Sequence, residues 1–238
     1  MAASTVPVIT VDGPSGTGKG TICSLLADWL GWHLLDSGAL YRVTALAVLR
    51  AGVDVADVAR VGEIAAGLEL DFAPGGAETP IRILLAREDV SAAIRAEQVS
   101  ILASEVAAYP AVRSALLARQ HASRRAPGLI ADGRDMGTVV FPDAPLKFFL
   151  TASAGERAER RYKQLKLKGI DVNLRQLSVD IAERDARDSQ RKVSPLTPAS
   201  DAVVIDTTGH DIDAVLAIVS SQVQQRFTAV PTLPQRKL

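Results

Sequence analysis

A glycine-rich stretch near the start of the chain restricts the possible folds more than any other feature of the sequence. Residues 8–11 form a β-branched run that predicts a strand, and apolar residues recur with a helical period over 22–30. Between them lies the spacing Gly-x-x-x-x-Gly-Lys, in which glycine lets successive backbone N–H groups turn inward around phosphate oxygens. The start of the helix adds unpaired N–H groups and the positive end of its dipole. The stretch therefore predicts a nucleoside triphosphate site formed by Gly13, Pro14, Ser15, Gly16, Thr17, Gly18, Lys19, Gly20 and Thr21.

The residues after the second glycine set the chemistry expected of this loop. Lys19 supplies a mobile positive charge for the β- and γ-phosphates, which makes it a predicted catalytic residue. Gly20 stands where the commonest form of the motif has a hydroxyl residue, and the hydroxyl comes one residue later, at Thr21. We therefore predict that Thr21 contacts a phosphate, and we assign no residue as a direct metal ligand.

The charge balance argues against a polyanionic partner. The 238 residues include 27 Lys and Arg and 27 Asp and Glu, so no overall positive field attracts nucleic acid or an acidic membrane surface. No apolar run reaches the roughly 18 residues that a membrane span needs, and the first residues lack a basic region followed by an apolar core. The single cysteine, Cys23, excludes an internal disulfide and fits a reducing compartment. We predict a cytoplasmic protein with no nucleic-acid or membrane partner.

Strand and helix patterns alternate along most of the chain. Strand patterns recur at residues 32–35, 128–131, 146–150 and 202–206, and helical periods separate them. This alternation predicts the α/β class, with a parallel five-stranded sheet flanked by helices. Two alternating runs, 68–72 and 81–85, surround a glycine-rich turn and predict a small inserted antiparallel β subdomain. We expect one domain over 1–227, with an insert over about 37–113, and a disordered tail over 228–238.

Arginines concentrate on two helical segments in the second half of the chain. Each helix begins with a capping pattern, at Ser153 for the first and at Asn173 for the second, and Gly169 lies between them. The residues on one face are Arg157, Arg160 and Arg161 on the first helix and Arg184, Asp188 and Arg191 on the second. Guanidinium groups this close repel one another unless an anion lies among them. The pattern predicts a helical lid over about 153–191 whose arginines bind phosphate.

A chain with this loop could be a kinase, a GTPase switch or an ATPase motor. Guanine-specific GTPases use Asn-Lys-x-Asp to recognise the base, whereas the one asparagine of this chain, Asn173, is followed by Leu174 and Arg175. A motor needs a relay surface or an arginine supplied by a neighbouring subunit, whereas the lid pattern here carries arginines on the same chain. A small-molecule kinase is therefore the favoured interpretation.

The nature of the phosphoryl acceptor can be argued from the nucleophile. An alcohol acceptor calls for a carboxylate as general base, and Asp36, Asp132 and Asp135 are the candidates. A nucleoside monophosphate is already largely dianionic at pH 7 and needs only cations to hold it in line. The number of arginines favours the monophosphate.

Four segments resemble the bacterial-type cytidylate kinases. They are the glycine-rich loop at 13–21, Leu-Asp-Ser-Gly-Ala-Leu-Tyr-Arg at 35–42, Asp-Gly-Arg-Asp-Met-Gly-Thr-Val-Val-Phe-Pro at 132–142 and Glu-Arg-Asp-Ala-Arg-Asp at 183–188. The resemblance covers nearly the whole chain, from about 8 to 227, and weakens only at 72–85 and in the tail. It implies a P-loop nucleoside monophosphate kinase fold with a core, a monophosphate-binding insert and a lid. It also implies transfer of the γ-phosphoryl group of ATP to CMP or dCMP with Mg²⁺, by a monomer.

The same resemblance assigns roles to individual residues. The substrate-binding residues it implies are Ser37, Tyr41, Arg42, Ser104, Arg113, Arg134, Asp135, Arg184, Asp188 and Arg191. The catalytic residues are Lys19, Arg134, Arg184 and the lid arginines Arg157 and Arg161. Cytosine fits such a set, because the carboxylate of Asp135 can accept from its N4 amino group while Arg113 and Ser104 donate to N3 and O2.

Two other functions stay open on the sequence alone. One is a P-loop kinase that phosphorylates an alcohol, and the other is a nucleotide-dependent binding switch whose output is a partner protein. Turnover with a panel of acceptors separates these three hypotheses.

Overall fold

The computed structural model describes residues 6–76, 79–167, 169–227 and 230–231 of the chain. The strands are β1 (Val8–Asp12), β2 (His33–Asp36), β3 (Leu70–Gly76), β4 (Thr79–Leu85), β5 (Glu88–Asp89), β6 (Leu129–Asp132), β7 (Leu146–Thr151) and β8 (Val203–Asp206). The helices are α1 (Lys19–Leu30), α2 (Ser37–Arg50), α3 (Val58–Ala66), α4 (Glu97–Val106), α5 (Pro110–Ala122), α6 (Ala154–Leu167), α7 (Leu174–Gln190) and α8 (Ile212–Arg226). The chain folds into two compact units, one of Met1–Asp36 with Gln120–Leu238 and one of Ser37–Arg119.

The first unit is built on a five-stranded sheet in the order β2-β6-β1-β7-β8. Every pairing in it is parallel, so the predicted parallel five-stranded sheet is confirmed. All five residues of β1 are buried, as expected of a central strand covered on both faces. Ile9 lies opposite Ile130 on one side and Leu146 on the other, so the strand that enters the glycine-rich loop is held from both sides.

One face of this sheet is covered by α1 and α8. Side chains from both helices join the strand residues in one apolar core. The helical members include Ile22, Cys23, Leu26, Val215 and Val219, each buried. Burial raises the pKa of the Cys23 thiol well above its usual value, which keeps this thiol protonated and unreactive. The first helix is therefore anchored by packing along its length, and its N-terminus is fixed at the end of β1.

The second unit contains α2, α3, α4 and a small antiparallel sheet in the order β3-β4-β5. The β3–β4 hairpin pairs Leu70 with Leu85, which confirms the predicted antiparallel insertion, and the two-residue strand β5 extends it. α2 packs against α4, and most of the residues of α2 are buried. α5 begins at Pro110, and α4 and α5 meet there at an angle of 101°.

Across the described residues, no single helix has both the length and the apolar character needed to cross a membrane. α4 and α5 meet the criterion only when they are joined across their bend.

The last residues of the chain fall mostly outside the described part. The predicted disordered tail covers 228–238, of which 228, 229 and 232–238 are not described. Val230 packs against the core beneath the sheet, and the indole N–H of Trp29 donates to the carbonyl oxygen of Pro231 at 2.9 Å. These two residues are thus in contact with the core.

Candidate active site

The glycine-rich loop between β1 and α1 has a backbone that only glycine can adopt at its critical positions. Gly13, Gly16 and Gly18 have φ values of 142°, 83° and 89°. A Cβ on Gly13 would lie 2.0 Å from the carbonyl oxygen of Leu150, and one on Gly16 would lie 3.0 Å from the Cβ of Arg157. The loop is therefore seated directly against β7 and α6, and its shape is determined by close approach as well as by torsion.

The start of α1 is arranged to receive an anion. The N-cap residue is Gly18, no described side chain caps the first N–H groups, and the first turn contains no acidic residue. Most helices satisfy these N–H groups with a Ser, Thr, Asp or Asn at this position. Because α1 does not, its N–H groups and its dipole can serve a phosphate.

Lys19 lies over the loop in this structure, with its ammonium group turned inward. Its Nζ donates to the carbonyl oxygen of Pro14 at 2.7 Å, and the residue is 5% exposed. Burial and then the positive charge of Arg134 lower the pKa of Lys19 to about 8, and Arg184 contributes in the same direction, against the charge of Asp132. Arg134 and Arg184 therefore lie close enough to Lys19 to disfavour its charged form, which a bound anion would relieve.

Carboxylates stand at the ends of the strands next to the loop. The register places Asp36 of β2 opposite Asp132 of β6, while Asp12 ends β1. A Cβ on Gly20 would lie 3.6 Å from an Asp132 carboxylate oxygen, so this group borders the first turn of α1. Ligands of open α/β sheets bind at this edge, where the carboxyl ends of the strands meet.

After β6 the chain forms a wide helical turn of the π type at Met136–Val140. The residue at its N-cap position is Asp135. The carboxylate of Asp12 accepts from the N–H groups of Met136 and Gly137, each at 2.8 Å. Burial raises the pKa of Asp12 to about 7, although these two hydrogen bonds oppose the change. The partly buried Arg134 precedes the turn, and its Nε donates to Asp188 of α7 at 3.0 Å.

Asp188 lies among three arginines that were predicted to bind the substrate, Arg134, Arg184 and Arg191, and we call this group the arginine cluster. Asp188 is 4% exposed, and Arg191 approaches its other carboxylate oxygen at 3.6 Å. Burial acts to raise the pKa of Asp188, but the charges of Arg134, Arg191 and Arg184 outweigh it and hold the pKa below its usual value. The structure therefore brings together four of the residues predicted to bind the monophosphate.

Arg157 of α6 connects the loop to α7. Its side chain donates to the carbonyl oxygen of Ala152 at 3.0 Å and to that of Ser15, within the loop, at 3.2 Å. It also forms an ion pair with Asp185 of α7. Arg161, the other predicted lid arginine, donates to Gln164 on the same helix at 2.9 Å.

The sequence did not indicate several contacts that shape the site. Asp12 accepts from the turn after β6, Asp185 pairs with Arg157, and Arg160, which was predicted to lie on the phosphate-binding face of α6, donates to the hydroxyl and carbonyl oxygens of Thr207. The Thr207 hydroxyl lies 3.2 Å from the carbonyl oxygen of Thr17 in the loop. The available signal for Asp12 is its position, because this acidic residue ends the first strand pattern and directly precedes the glycine-rich loop.

The second unit holds the remaining predicted substrate residues. Ser37, Tyr41 and Arg42 lie in the first turns of α2. The guanidinium carbon of Arg113 lies 5.8 Å from the centre of the Tyr41 ring, and its Nη1 donates to the carbonyl oxygen of Ala107 at 3.2 Å. The hydroxyl of Ser104 on α4 is buried and has no hydrogen-bond partner among the described residues. Such an atom is unfavourable unless a ligand or a water molecule satisfies it.

The chain is similar to known cytidylate kinases over almost its whole length. A family model for cytidylate kinase matches residues 9–225. Cytidylate kinases from Shewanella baltica (strain OS155) and Aeromonas hydrophila are 55% and 56% identical over 222 and 226 residues, which cover 93% and 95% of this chain and 96% and 97% of theirs. Among solved structures, the protein TT1252 of Thermus thermophilus matches with a TM-score of 0.49 at 18% identity, covering 95% of this chain and 100% of its own.

A parallel sheet whose central strand leads into this loop, with arginines from α6, α7 and the turn after β6 around it, defines a P-loop kinase. The match to the family model over residues 9–225 and the relatives at 55% identity show which family within this class the chain belongs to. The chain belongs to the cytidylate kinase family. The predicted family and the predicted nucleoside monophosphate kinase class are confirmed by this membership.

Proposed function

We propose that the protein transfers the γ-phosphoryl group of ATP to CMP or dCMP, giving ADP and CDP or dCDP, with Mg²⁺ as cofactor. The observation that carries this proposal is the group of Lys19, Arg134 and Arg184, in which the two arginines help to lower the pKa of Lys19 beside an uncapped helix start. Three cations gathered at one point suit a transition state that spreads negative charge over a phosphoryl group between two phosphate-bearing substrates.

The donor site is formed by residues 13–21. The positive φ values of the loop glycines let backbone N–H groups turn toward the triphosphate, and Lys19 would exchange its bond to Pro14 for one to a phosphate oxygen. The described residues contain no group of three or more His, Cys, Asp or Glu side chains that could hold a metal ion, which fits an ion delivered with the triphosphate. Mg²⁺ bound in this way neutralises charge on the β- and γ-phosphates.

The acceptor phosphate is proposed to bind at the arginine cluster around Asp188. Asp188 holds Arg134 and Arg191 by ion pairs, so their guanidinium groups are oriented before substrate enters. A nucleoside monophosphate needs no general base, and orientation by these cations is the contribution required of the protein. Arg157 and Arg161 of α6 would close over the phosphates and exclude water.

The remaining predicted substrate-binding residues are proposed to recognise the base and the sugar. Within the second unit, the buried Ser104 hydroxyl and the Arg113 guanidinium are donors suited to the N3 and O2 atoms of cytosine. Ser37, Tyr41 and Arg42 of α2 complete the predicted set there. In the first unit, Asp135 is the proposed acceptor for the N4 amino group.

A coupled assay of ADP release tests the proposal against its alternatives. The acceptors are CMP, dCMP, UMP, AMP, GMP and shikimate as a representative alcohol, each tested with and without Mg²⁺. We expect the highest kcat/KM with CMP and dCMP. The control is Lys19→Met, which keeps the aliphatic stem and removes the charge, and it should lose turnover with every acceptor while its Tm stays near that of the wild type.

Two results would contradict the proposal. Preferred turnover of shikimate would indicate an alcohol kinase with Asp36, Asp132 or Asp135 as the base. Tight ATP binding with no turnover of any acceptor would favour the nucleotide-dependent switch. The monomeric state and the cytoplasmic location stay predictions, which size-exclusion chromatography with light scattering and cell fractionation would test.

A further inference from the structure

Asp12 lies where the phosphate loop and the turn after β6 meet. It is the last residue of β1, is 4% exposed, and directly precedes Gly13. Gly13 is pressed so closely against the carbonyl oxygen of Leu150 that no side chain fits there. The backbone at Asp12 is therefore fixed by β1 on one side and by this close approach on the other, and its carboxylate has a defined position.

Both oxygens of the Asp12 carboxylate accept hydrogen bonds from the same turn. Oδ1 accepts from the N–H of Met136 and Oδ2 from the N–H of Gly137, each at 2.8 Å. These are the first two N–H groups of the helical turn Met136–Val140, which has no acceptor for them within itself. Hydrogen bonds to an ionised carboxylate are about twice as strong as those between neutral groups.

The residue expected to cap this turn does not do so. Asp135 occupies the N-cap position and is of a type that caps well, yet its side chain makes no capping hydrogen bond. Its backbone carbonyl instead accepts from the N–H of Val139 at 2.9 Å. Because Asp12 caps the turn from a different strand, the carboxylate of Asp135 does not have to turn back onto its own helix.

Close packing holds the same turn against β1. A Cβ on Gly137 would lie 2.8 Å from the Thr10 hydroxyl and 3.1 Å from Cδ of Lys147. Before the turn, the N–H of Gly133 donates to the carbonyl oxygen of Val11 at 3.1 Å. The segment that carries Arg134 and Asp135 is thus attached at both ends to the two residues that lead into the phosphate loop.

We infer that Asp12 is a positioning residue for phosphoryl transfer, because its carboxylate sets where the turn presents Arg134 and Asp135 relative to the phosphate loop. This role rests on the proposed function. In this role Asp12 acts through Arg134 and Asp135, and not through a contact of its own with either substrate. Its environment is unfavourable for a charge, since Asp132 and Asp135 lie near it and burial opposes ionisation. If Asp12 were needed only to cap the turn during folding, the protein would be more stable without the carboxylates of Asp132 and Asp135 beside it.

Asp12→Asn tests this role with little change in shape. The amide can accept from one of the two N–H groups, but its NH₂ group then faces the other N–H. A displacement of about 1 Å near a reacting centre can cost on the order of a hundredfold in rate, so we expect kcat/KM for CMP to fall tenfold to a hundredfold. The dissociation constant for ATP, measured without CMP, should change less than threefold, because the loop keeps its glycines and Lys19. The matched control is Asp57→Asn, which makes the same change at the carboxylate that caps α3 by accepting from the N–H of Arg60 at 3.1 Å, and it should keep wild-type kinetics.

A double-mutant cycle and hydrogen exchange extend the test. If Asp12 acts through Arg134 and Asp135, then Asp12→Asn should lower kcat/KM for CMP less in an Asp135→Ala background than in the wild type, because one of the two side chains that it positions is already missing. In the wild type, the amides of Met136 and Gly137 should exchange as slowly as those of β1, which is measurable even if the Asn variant does not fold.

Three outcomes would overturn the role of Asp12. They are a folded Asn variant with wild-type kcat/KM for CMP, an equal loss of ATP and CMP binding, and rapid exchange at Met136 and Gly137. Wild-type turnover of CMP is measured first. Its absence would contradict the proposed function, whereas normal wild-type turnover with an unaffected Asn variant would contradict only the inference about Asp12.

Discussion

Without substrate, the side chain of Lys19 loses its proton at a pH only slightly above neutral. Burial and Arg134 lower its pKa to about 8, and its ammonium group is held inward by Pro14. A triphosphate at the loop supplies negative charge that favours the protonated amine, so binding must raise this pKa. The charge of Lys19 and occupancy by ATP are therefore linked, and each promotes the other.

This linkage predicts proton uptake when ATP binds at alkaline pH. At pH 9, above the pKa of about 8, most free protein carries a neutral Lys19, and binding should take up close to one proton. At pH 6.5 the amine is already charged, so uptake through this group should be near zero. Calorimetry in buffers of different ionisation enthalpy measures the number of protons. The control is Lys19→Arg, whose guanidinium stays protonated; equal uptake in both proteins would contradict the assignment to Lys19.

Asp135 is the residue at which the choice of base is most directly testable. If its carboxylate accepts from the N4 amino group, then Asp135→Ala should lower kcat/KM for CMP by roughly tenfold to a hundredfold, from a contact worth about 1–3 kcal/mol. UMP has no amino group at this position and should lose much less, so the CMP-to-UMP ratio is the quantity to measure. Asp143→Ala removes a carboxylate paired with Arg124 at the surface and is the matched control. A proportional loss for both nucleotides would assign Asp135 to phosphate orientation or to structure.

Residues whose role follows from local spacing were predictable, and those that act across the chain were not. The loop glycines and Lys19 form a continuous motif, so their geometry could be anticipated. Asp12 works by bonding to Met136 and Gly137, and Arg160 works by bonding to Thr207. Nothing in the spacing of these residues indicates such long-range pairs, because tertiary folding alone brings them together.

The segment formed by α6 and α7 is tied to the phosphate loop at few points. Arg157 bonds to Ser15 in the loop and to Asp185 of α7, and Arg134 reaches Asp188 of α7. Exposed apolar side chains at Leu167 and Ile170 mark the end of α6 and the start of the link. A segment with a sparse set of charged anchors can move as a body when those anchors find a new anion.

We expect this segment to close when both substrates are present. A bisubstrate analogue that joins adenosine to cytidine through a phosphate chain should slow amide exchange strongly over Ala154–Leu167 and Leu174–Gln190. The reason is that the arginines gain phosphate partners and the helices lose solvent contact. ATP alone should protect less, and α8 serves as the internal reference. Identical exchange with and without the analogue would exclude closure.

The sequence predicted features of helices correctly wherever those features depend on neighbouring residues in the chain. Both predicted helix caps are present, since Ser153 accepts from the N–H of Glu156 and Asn173 from the N–H groups of Arg175 and Gln176. No such local pattern predicts the wide turn at Met136–Val140. Its width follows from the cap supplied by Asp12 and from the close approach of Gly137 to β1, which are tertiary contacts.

For the molecule as a whole, the end of the chain contributes to the stability of the core. The indole N–H of Trp29 is buried in α1 and donates to Pro231, beside the apolar contact made by Val230. Removing residues 228–238 would leave this donor without its partner, which costs about 1–3 kcal/mol. We expect a lower Tm with little change in kcat/KM. The matched control removes only 232–238 and keeps the bond; an unchanged Tm in both truncations would show that the contact contributes nothing to stability.

The order of strands in the sheet also determines when the phosphate loop can form during synthesis. β1 emerges from the ribosome early, yet both of its neighbours, β6 and β7, come from the second half of the chain. Until Phe149 has been made, β1 lacks its full set of paired residues, and a chain that ends before Leu150 also lacks the carbonyl oxygen against which Gly13 is seated. A nascent chain paused before that residue would present an apolar strand to solvent. The contacts that seat the phosphate loop are therefore completed only after more than half of the chain has been made.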